Sequence, residues 1–247
     1  MGVNMSTVSE RVTVHTMNPV QGRGPVFYAS LQRPGCHGTT GEEAKHRLVS
    51  TLWDHLAAME GPLRKRRQSC DGTGFPIRLV RGPLGKPHLV SGEYRGPAVS
   101  FSEGGGEIWA ALCGDASDIG IDVAAADEFP EAYPFARVFH PEELEHALSL
   151  VDGDLGRASA LLWSVKEAVV KALGCAFHLV DPRQIIVYPT TGEAAGGNSG
   201  YAFPVGLSGK ALMRFPMAGR SLWVHSLPRR NMWLSIAILD RSPALHE

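Results

Sequence analysis

Apolar residues fall at helical spacing between Gly41 and Met59: Leu48, Leu52, Leu56 and Met59 share a face, and Glu42 and Glu43 stand in the first turn, where the helix dipole favours negative charge. This predicts a helix ended by Gly61-Pro62. Short apolar runs of strand character follow at Ile77 to Val80, Ala98 to Phe101, Ile108 to Cys113 and Ile119 to Val123. Pro141, with its fixed φ, opens a second helical block with Glu142 and Glu143 behind it and Leu144 and Leu148 on its apolar face. A longer helix is predicted from about Arg157 to Leu173, stopping at Gly174, a residue suited to the left-handed terminator. Strand patterns return at Gln184 to Tyr188, Leu222 to Leu227 and Met232 to Leu239. Residues 1–25 read as irregular, because Gly22, Gly24 and Pro25 break any pattern, and the polar, Gly-rich stretch Thr190 to Gly200 reads as a mobile loop.

A helix followed by several strands occurs twice, before and after about residue 125, although no sequence repeat accompanies it. Helices segregated from antiparallel strands point to an α+β fold of two similar halves, residues 1–125 and 126–247.

Composition narrows the class. The 247 residues, 44% hydrophobic and 20% charged, suffice for a sizeable core and exclude a disordered chain. Lys plus Arg (24) nearly balance Asp plus Glu (25), which argues against a dedicated nucleic-acid binder. No apolar run approaches the ~20 residues that span a bilayer, and Met1 to Glu10 lacks the apolar segment of a signal peptide. Cys36, Cys70, Cys113 and Cys175 show no CxxC spacing, as expected of a reducing compartment without a zinc site. The expectation is a cytoplasmic protein with no membrane or nucleic-acid partner. Trp53, Trp109, Trp223 and Trp233 sit in apolar elements and read as core. The run Arg64 to Arg67 reads as a solvated loop able to steer an acidic partner.

The chemistry concentrates in two segments. In Trp163-Ser164-Val165-Lys166-Glu167-Ala168-Val169-Val170-Lys171, Glu167 and Lys171 are i,i+4 neighbours on a face shared with Trp163. In Asp118-Ile119-Gly120-Ile121-Asp122-Val123 a carboxylate ends an apolar strand. Taken singly, the first is an ordinary solvated helix face and the second a turn former. Together, two carboxylates from separate elements suit a hard cation such as Mg²⁺, which takes one or two carboxylates plus substrate phosphates. A lysine one turn away would meet the same phosphates.

The pair Ile119-Gly120-Ile121-Asp122 and, about forty residues on, Trp163-Ser164-x-Lys166-Glu167-Ala168-x-x-Lys171 resembles the paired signature of 4′-phosphopantetheinyl transferases. The likeness is to the larger, monomeric kind that serves nonribosomal peptide and polyketide synthases. Gly85-Lys86-Pro87 looks like that family's upstream Gly-Lys-Pro motif, Phe139-His140-Pro141-Glu142-Glu143 its Phe-x-x-x-Glu element, and Gly174 to Pro182 the loop after the Lys-Glu helix. Roughly residues 42 to 190 are covered.

The resemblance implies a pseudo-twofold α+β fold with coenzyme A between the halves. Asp122 and Glu167 would hold Mg²⁺ against the pyrophosphate, Lys171 would contact phosphate, and Lys86, Ser100 and Arg47 would lie near the nucleotide. The implied reaction moves the phosphopantetheine arm onto a serine of an acyl or peptidyl carrier protein and releases adenosine 3′,5′-bisphosphate. Glu167, or a metal-bound water beside it, would take the serine proton. Two positions depart from the pattern. Ala124 stands where the family often has a further metal-binding Glu, with Glu103 or Asp127 as substitutes or as plain surface residues. Phe101 stands where the family has a His on coenzyme A phosphate. They open a second reading: a degenerate relative that binds coenzyme A or carrier without turnover, or a fold recruited for dehydration or cyclisation.

Overall fold

The computed structural model describes residues 12–19, 24–33, 40–60, 78–82, 84–91, 94–114, 117–190, 200–216, 218 and 222–240. Gly61-Pro62, the basic run Arg64 to Arg67, Ile77, Cys36, Cys70 and residues 191–199 of the expected loop lie outside them.

Strands β1 (Val14–Met17), β2 (Val26–Gln32), β3 (Arg78–Arg81), β4 (Pro87–Ser91), β5 (Tyr94–Gly104) and β6 (Glu107–Cys113) form an antiparallel sheet in the order β1-β2-β6-β5-β4-β3. Helix α1 (Gly41–Glu60) covers one face, as its apolar spacing requires, burying Ala44, Leu48, Leu52 and Leu56 against Phe27, Ala29, Ile108, Ala110 and Leu112. The second sheet has the order β7-β11-β10-β9-β8 and is also antiparallel. Its strands are β7 (Ser117–Ala125), β8 (Ile185–Val187), β9 (Tyr201–Leu207), β10 (Leu222–Arg229) and β11 (Met232–Asp240). Around it lie the one-turn helix α2 (Phe135–Val138), α3 (Pro141–Leu150), α4 (Leu155–Leu173) and the short α5 (Gly209–Arg214).

Helix α4 is the spine of this half. Asp154 caps it by accepting from the Arg157 N–H at 2.9 Å, and Gly174 ends it at φ 71°. Its apolar positions Leu161, Leu162, Val165 and Val169 are buried in one core with Phe203, Val205 and Val224. A third cluster, with Val26, Tyr28, Trp109 and Ala111 from the first sheet and Ile119, Ile121, Leu234 and Ile236 from the second, joins the two sheets face to face. The class is α+β with two antiparallel sheets, as the element pattern predicts.

Some elements differ from the sequence reading. The stretch expected to be irregular contains β1, because Val14-His15-Thr16-Met17 pairs with β2 from Val14↔Ala29 to Met17↔Val26, and His15 stacks on Tyr28 at 5.0 Å. Strands β4 and β9 carry Pro87 and Pro204 and so hide their strand pattern. Strand β7 pairs along its length with β11, from Ser117↔Asp240 to Ala125↔Met232. By pairing, β7, and with it Asp122, belongs to the second sheet. Among the described residues no helix is long and apolar enough to cross a membrane.

Candidate active site

Strand β7 lies at the edge of its sheet, and its outer backbone groups find side chains instead of a neighbouring strand. Ser100 Oγ on β5 accepts from the Ile121 N–H at 3.1 Å, and Ser102 Oγ accepts from the Val123 N–H at 3.2 Å. Residues 120, 122 and 124 share the opposite face from Ile119, Ile121 and Val123, which enter the core between the sheets. A Cβ at Gly120 would sit 1.9 Å from the Ala168 carbonyl oxygen and 2.5 Å from the Ala172 nitrogen. Only glycine lets this strand lie directly on α4, and that contact delivers the next residue on the face, Asp122, to the helix.

Asp122 is 6% exposed. Its Oδ1 accepts from Lys171 Nζ at 2.7 Å and from Ser102 Oγ at 2.9 Å. Burial lifts its carboxyl above the ordinary range, and the Lys171 ammonium opposes that rise. Lys171 also donates to the carbonyls of Ile121 (3.1 Å) and Phe101 (3.2 Å), tying α4 to both β7 and β5. Glu167 stands one turn earlier on α4. Burial first, and then the charge of Asp122, push its carboxyl up to about 7, against the pull of Lys171. The two carboxylates thus feel each other, and Tyr133 borders Glu167, since that charge helps burial raise its phenol. Asp122, Glu167 and Lys171, from a strand and a helix far apart in sequence, form one constellation.

Beside it opens a cleft of about 260 Å³. Among the described residues, Lys45, Arg81, Lys86, Ser100, Phe101, Lys171 and Cys175 line it together with Leu79, Leu84, Gly85, Pro87 and Val99, and its four cations each pair with a carboxylate off the wall: Glu103, Glu42, Asp118 and Asp122, respectively. Lys171 belongs to both cleft and constellation; Asp122 and Glu167 lie behind it and are not part of the wall. Lys86 crosses the cap of α4, with its Cδ 2.8 Å from where a Gly174 Cβ would be, and donates to the Ala172 carbonyl (2.8 Å) and to Asp118. The other expected nucleotide-side residue, Arg47, is not part of the cleft wall. It stands two positions after Lys45, and at 100° per residue that turns it about 200° around α1. Lys45 does line the cleft and pairs with Glu103 at 2.9 Å. Nothing in the local sequence ranks Lys45 above Arg47; the distinction depends on which face of α1 meets the sheet.

The departures have physical settings. Ala124, buried at 1%, shares the helix-facing side of β7 with Gly120 and Asp122. Glu103 is held below the ordinary range by its hydrogen bond from Lys45 and is flanked by Arg33 at 3.8 Å. Asp127 is exposed, on a one-turn 3-10 helix, Ala126–Glu128. Among the described residues no group of three or more His, Cys, Asp or Glu side chains is placed to hold a metal. The site offers two carboxylates.

Lys166, adjacent to Glu167, has a different role. It is fully buried, donating to Glu143 Oε1 (2.9 Å) and to the carbonyls of Pro182 (2.9 Å) and Ile185 (2.7 Å), with its Nζ 5.9 Å from the Phe139 ring. Burial draws its pKa down and Glu143 opposes this. The Phe139-to-Glu143 segment and the loop at Pro182 are therefore parts of one lock on α4. Phe129 and Phe177 flank Trp163 at 6.5 and 5.0 Å, and Tyr133 meets Phe129 at 5.0 Å, an aromatic cluster that no regular spacing announces.

Comparison with known proteins adds the following. Among solved structures the chain resembles the Chronobacterium ammoniagenes ACPS-CoA complex, with 20% identity and a TM-score of 0.41 over 52% of this chain and 99% of that one. It also resembles the Thermotoga maritima holo-[acyl-carrier-protein] synthase, at 16% identity and TM-score 0.38 over 51% and 64%, respectively. A third is the holo-ACP-synthase from Plasmodium yoelii, at 17% and 0.39 over 51% and 95%. No curated protein matches the sequence. The stretch that supplies Asp122, Glu143, Lys166, Glu167 and Lys171, residues 118–199, matches the family model of the 4′-phosphopantetheinyl transferase superfamily.

Proposed function

We propose that this protein transfers the 4′-phosphopantetheine arm of coenzyme A to a serine of an acyl or peptidyl carrier protein, as the larger, monomeric kind of transferase does, in the cytoplasm. The observation that carries the reading is the meeting of Asp122, Glu167 and Lys171, within the segment that matches the superfamily, beside a cleft whose wall Lys171 shares with Lys45, Arg81 and Lys86.

Coenzyme A presents a pyrophosphate and a 3′-phosphate, and Lys45, Arg81, Lys86 and Lys171 offer matching charge, with Ser100 on the same wall. The donor chemistry also suits Mg²⁺. Two hard carboxylates repel each other, and both are raised, Glu167 to about 7, so a divalent cation relieves the repulsion. Asp122 and Glu167 would hold it; bound there, it would offset the charge growing on the 5′-phosphate of the leaving adenosine 3′,5′-bisphosphate.

In the transfer, the carrier serine oxygen forms a bond to the phosphorus that bears the pantetheine arm. The bond from that phosphorus to the bridging oxygen breaks, and adenosine 3′,5′-bisphosphate leaves. Lys171 neutralises phosphate oxygens at the cleft edge. Glu167, with a carboxyl near neutrality, takes the serine proton directly or through a water. The test is transfer of a labelled arm from coenzyme A to several apo carrier proteins; no labelling by folded protein overturns the reading.

A second reading has its own observation: Phe101 lines the cleft without a donor, and Ala124 presents a methyl group toward α4. In that case the chain binds coenzyme A or carrier without turnover. Calorimetry separates the two, since metal-independent binding with no transfer favours the binder.

A further inference from the structure

One ridge of α4, made by Ala160, Ser164, Ala168 and Ala172 at i,i+4 spacing, is fully buried. Its members are small, which lets the helix approach the sheet as closely as Ala168 and Ala172 do at Gly120. Small side chains interlock little, so packing along this ridge fixes poorly where on the strands the helix rests. Ser164 is the polar member of the ridge. Its Oγ donates to the Leu161 carbonyl at 2.9 Å and meets Ser235 Oγ on β11 at 2.7 Å. Ser235 Oγ in turn meets Ser226 Oγ on β10 at 2.7 Å, and all three serines are fully buried. A carbonyl only accepts and a hydroxyl has one hydrogen, so the order of donation is set: Ser226 to Ser235, Ser235 to Ser164, Ser164 to Leu161. Every hydroxyl hydrogen is used, which offsets the cost of burying the three groups.

The chain runs past the site. Ser226 stands opposite Ser235, and Ser235 opposite Asp122, so the three residues form one row across β10, β11 and β7. The Cα atoms of an opposed pair such as Asp122 and Ser235 are about 4.5–5.5 Å apart, with both side chains on one face. Glu167 lies three residues beyond Ser164, about 4.5 Å along the helix axis. The Ser235–Ser164 bond therefore joins the strand position beside one site carboxylate to the helical turn that bears the other. Lys171 also bridges strand and helix, but through a flexible four-carbon stem that can follow either backbone. A serine oxygen stands one carbon from its Cα, and two of them in contact leave little play.

We propose that Ser235 and Ser164 are positioning residues for the transfer: their bond fixes the register of α4 on β7 and β11, and with it the approach of Glu167 to Asp122. This rests on the reading of the site given above. Both serines are buried and act through the carboxylates, not on substrate.

The test compares Ser235→Ala and Ser235→Thr with the parent chain under conditions where urea titration shows each to be folded. Three quantities are read: kcat for labelling an apo carrier protein, coenzyme A affinity by calorimetry, and the ¹⁵N-indole signal of Trp163, assigned by its loss in Trp163→Phe. In Ser235→Ala, kcat should fall roughly ten- to hundredfold, the scale of a misplacement of about 1 Å. Coenzyme A affinity should hold, because Lys45, Arg81 and Lys86 stand on other elements. The Trp163 signal should move, because α4 carries that indole against Phe177 at 5.0 Å. Ser235→Thr keeps the hydroxyl and should recover most of kcat. A merely structural serine would lower the urea midpoint and leave kcat and the signal of the folded protein alone. Should Ser235→Ala not fold, Ser164→Ala breaks the same bond with a better helix former and is read by kcat and affinity. With transfer by the parent established, an unchanged kcat in the folded alanine variant, an unmoved Trp163 signal, or a threonine variant no better than alanine overturns this proposal alone. No transfer by the parent overturns it together with the reading beneath it.

Discussion

Lys171 Nζ donates to Asp122 Oδ1 at 2.7 Å, and this bond divides the work of the two site carboxylates. Asp122 has the ammonium and the Ser102 hydroxyl on the same oxygen. Glu167 receives no such bond among the described residues and is left to titrate near 7. Its deprotonated form is the one that can accept a proton or hold a cation, so kcat/KM should rise with pH through about 7, and Glu167→Gln should abolish transfer at every pH. Magnesium competes with the proton, so raising its concentration should move the midpoint down. For stability the sign is reversed: a carboxyl raised in the folded state stabilises below its unfolded pKa and loses that contribution as pH rises through 7. Glu167→Gln should therefore not lower the melting temperature at pH 8; a fall would show that Glu167 is a structural residue.

Gly120→Ala tests the contact that places Asp122. The added Cβ meets backbone, the Ala168 carbonyl at 1.9 Å, which cannot rotate away. The expected cost is about 3 kcal/mol or more, read as a shifted urea midpoint. A loss below half of that would mean that β7 can lift from α4 at little expense.

Lys166→Met should be costly without touching the reaction directly. It leaves Glu143, itself buried, without its cation, and two carbonyls without a donor, for a loss of about 3–5 kcal/mol. Adding Glu143→Leu should recover part of that, because the stranded charge is removed. A double variant as unstable as the single one would assign the cost to the Pro182 and Ile185 carbonyls.

His225 on β10 sets an acid limit. It is 2% exposed, its Nε2 has no hydrogen-bond partner among the described residues, and burial lowers its pKa to about 4 from 6.5. The unfolded chain then binds a proton that the folded one refuses, so stability falls as pH drops from 6.5 toward 4, by about 3 kcal/mol in total. Urea titrations at pH 7 and pH 4 should show this difference shrinking in His225→Gln. An unchanged difference would place the acid sensitivity elsewhere.

Phe101→His restores a donor to the cleft wall, where Phe101 now offers only a ring and a backbone carbonyl bound by Lys171. Under the proposed reading, coenzyme A should bind roughly ten- to hundredfold tighter. Unaltered affinity would mean that no phosphate reaches this wall.

What the sequence reveals here follows from how local each signal is. The extent of α1 and α4, the Gly174 stop and the Gly120-to-Asp122 spacing rest on neighbours within a few residues, and each is found where the pattern predicts it. The placing of β7 with β11 rests on a pairing more than a hundred residues apart, while its closeness in sequence to β6 suggests the opposite sheet. Lys45 and Arg47 look alike along the chain, and only the seat of α1 on its sheet separates them. The Lys166 lock gathers α3, α4 and the turn at Pro182, so its lysine has no assignable role in the sequence until those partners are known.

The membership of β7 also says where the chain can be severed. A break between Gly114 and Ser117 gives two fragments that each keep every strand of their own sheet, so mixing them should permit non-covalent reassembly. A break after Ala125 strips the second fragment of the strand bearing Asp122 and leaves β11 with an open flank, a surface more apt to aggregate than to find its complement.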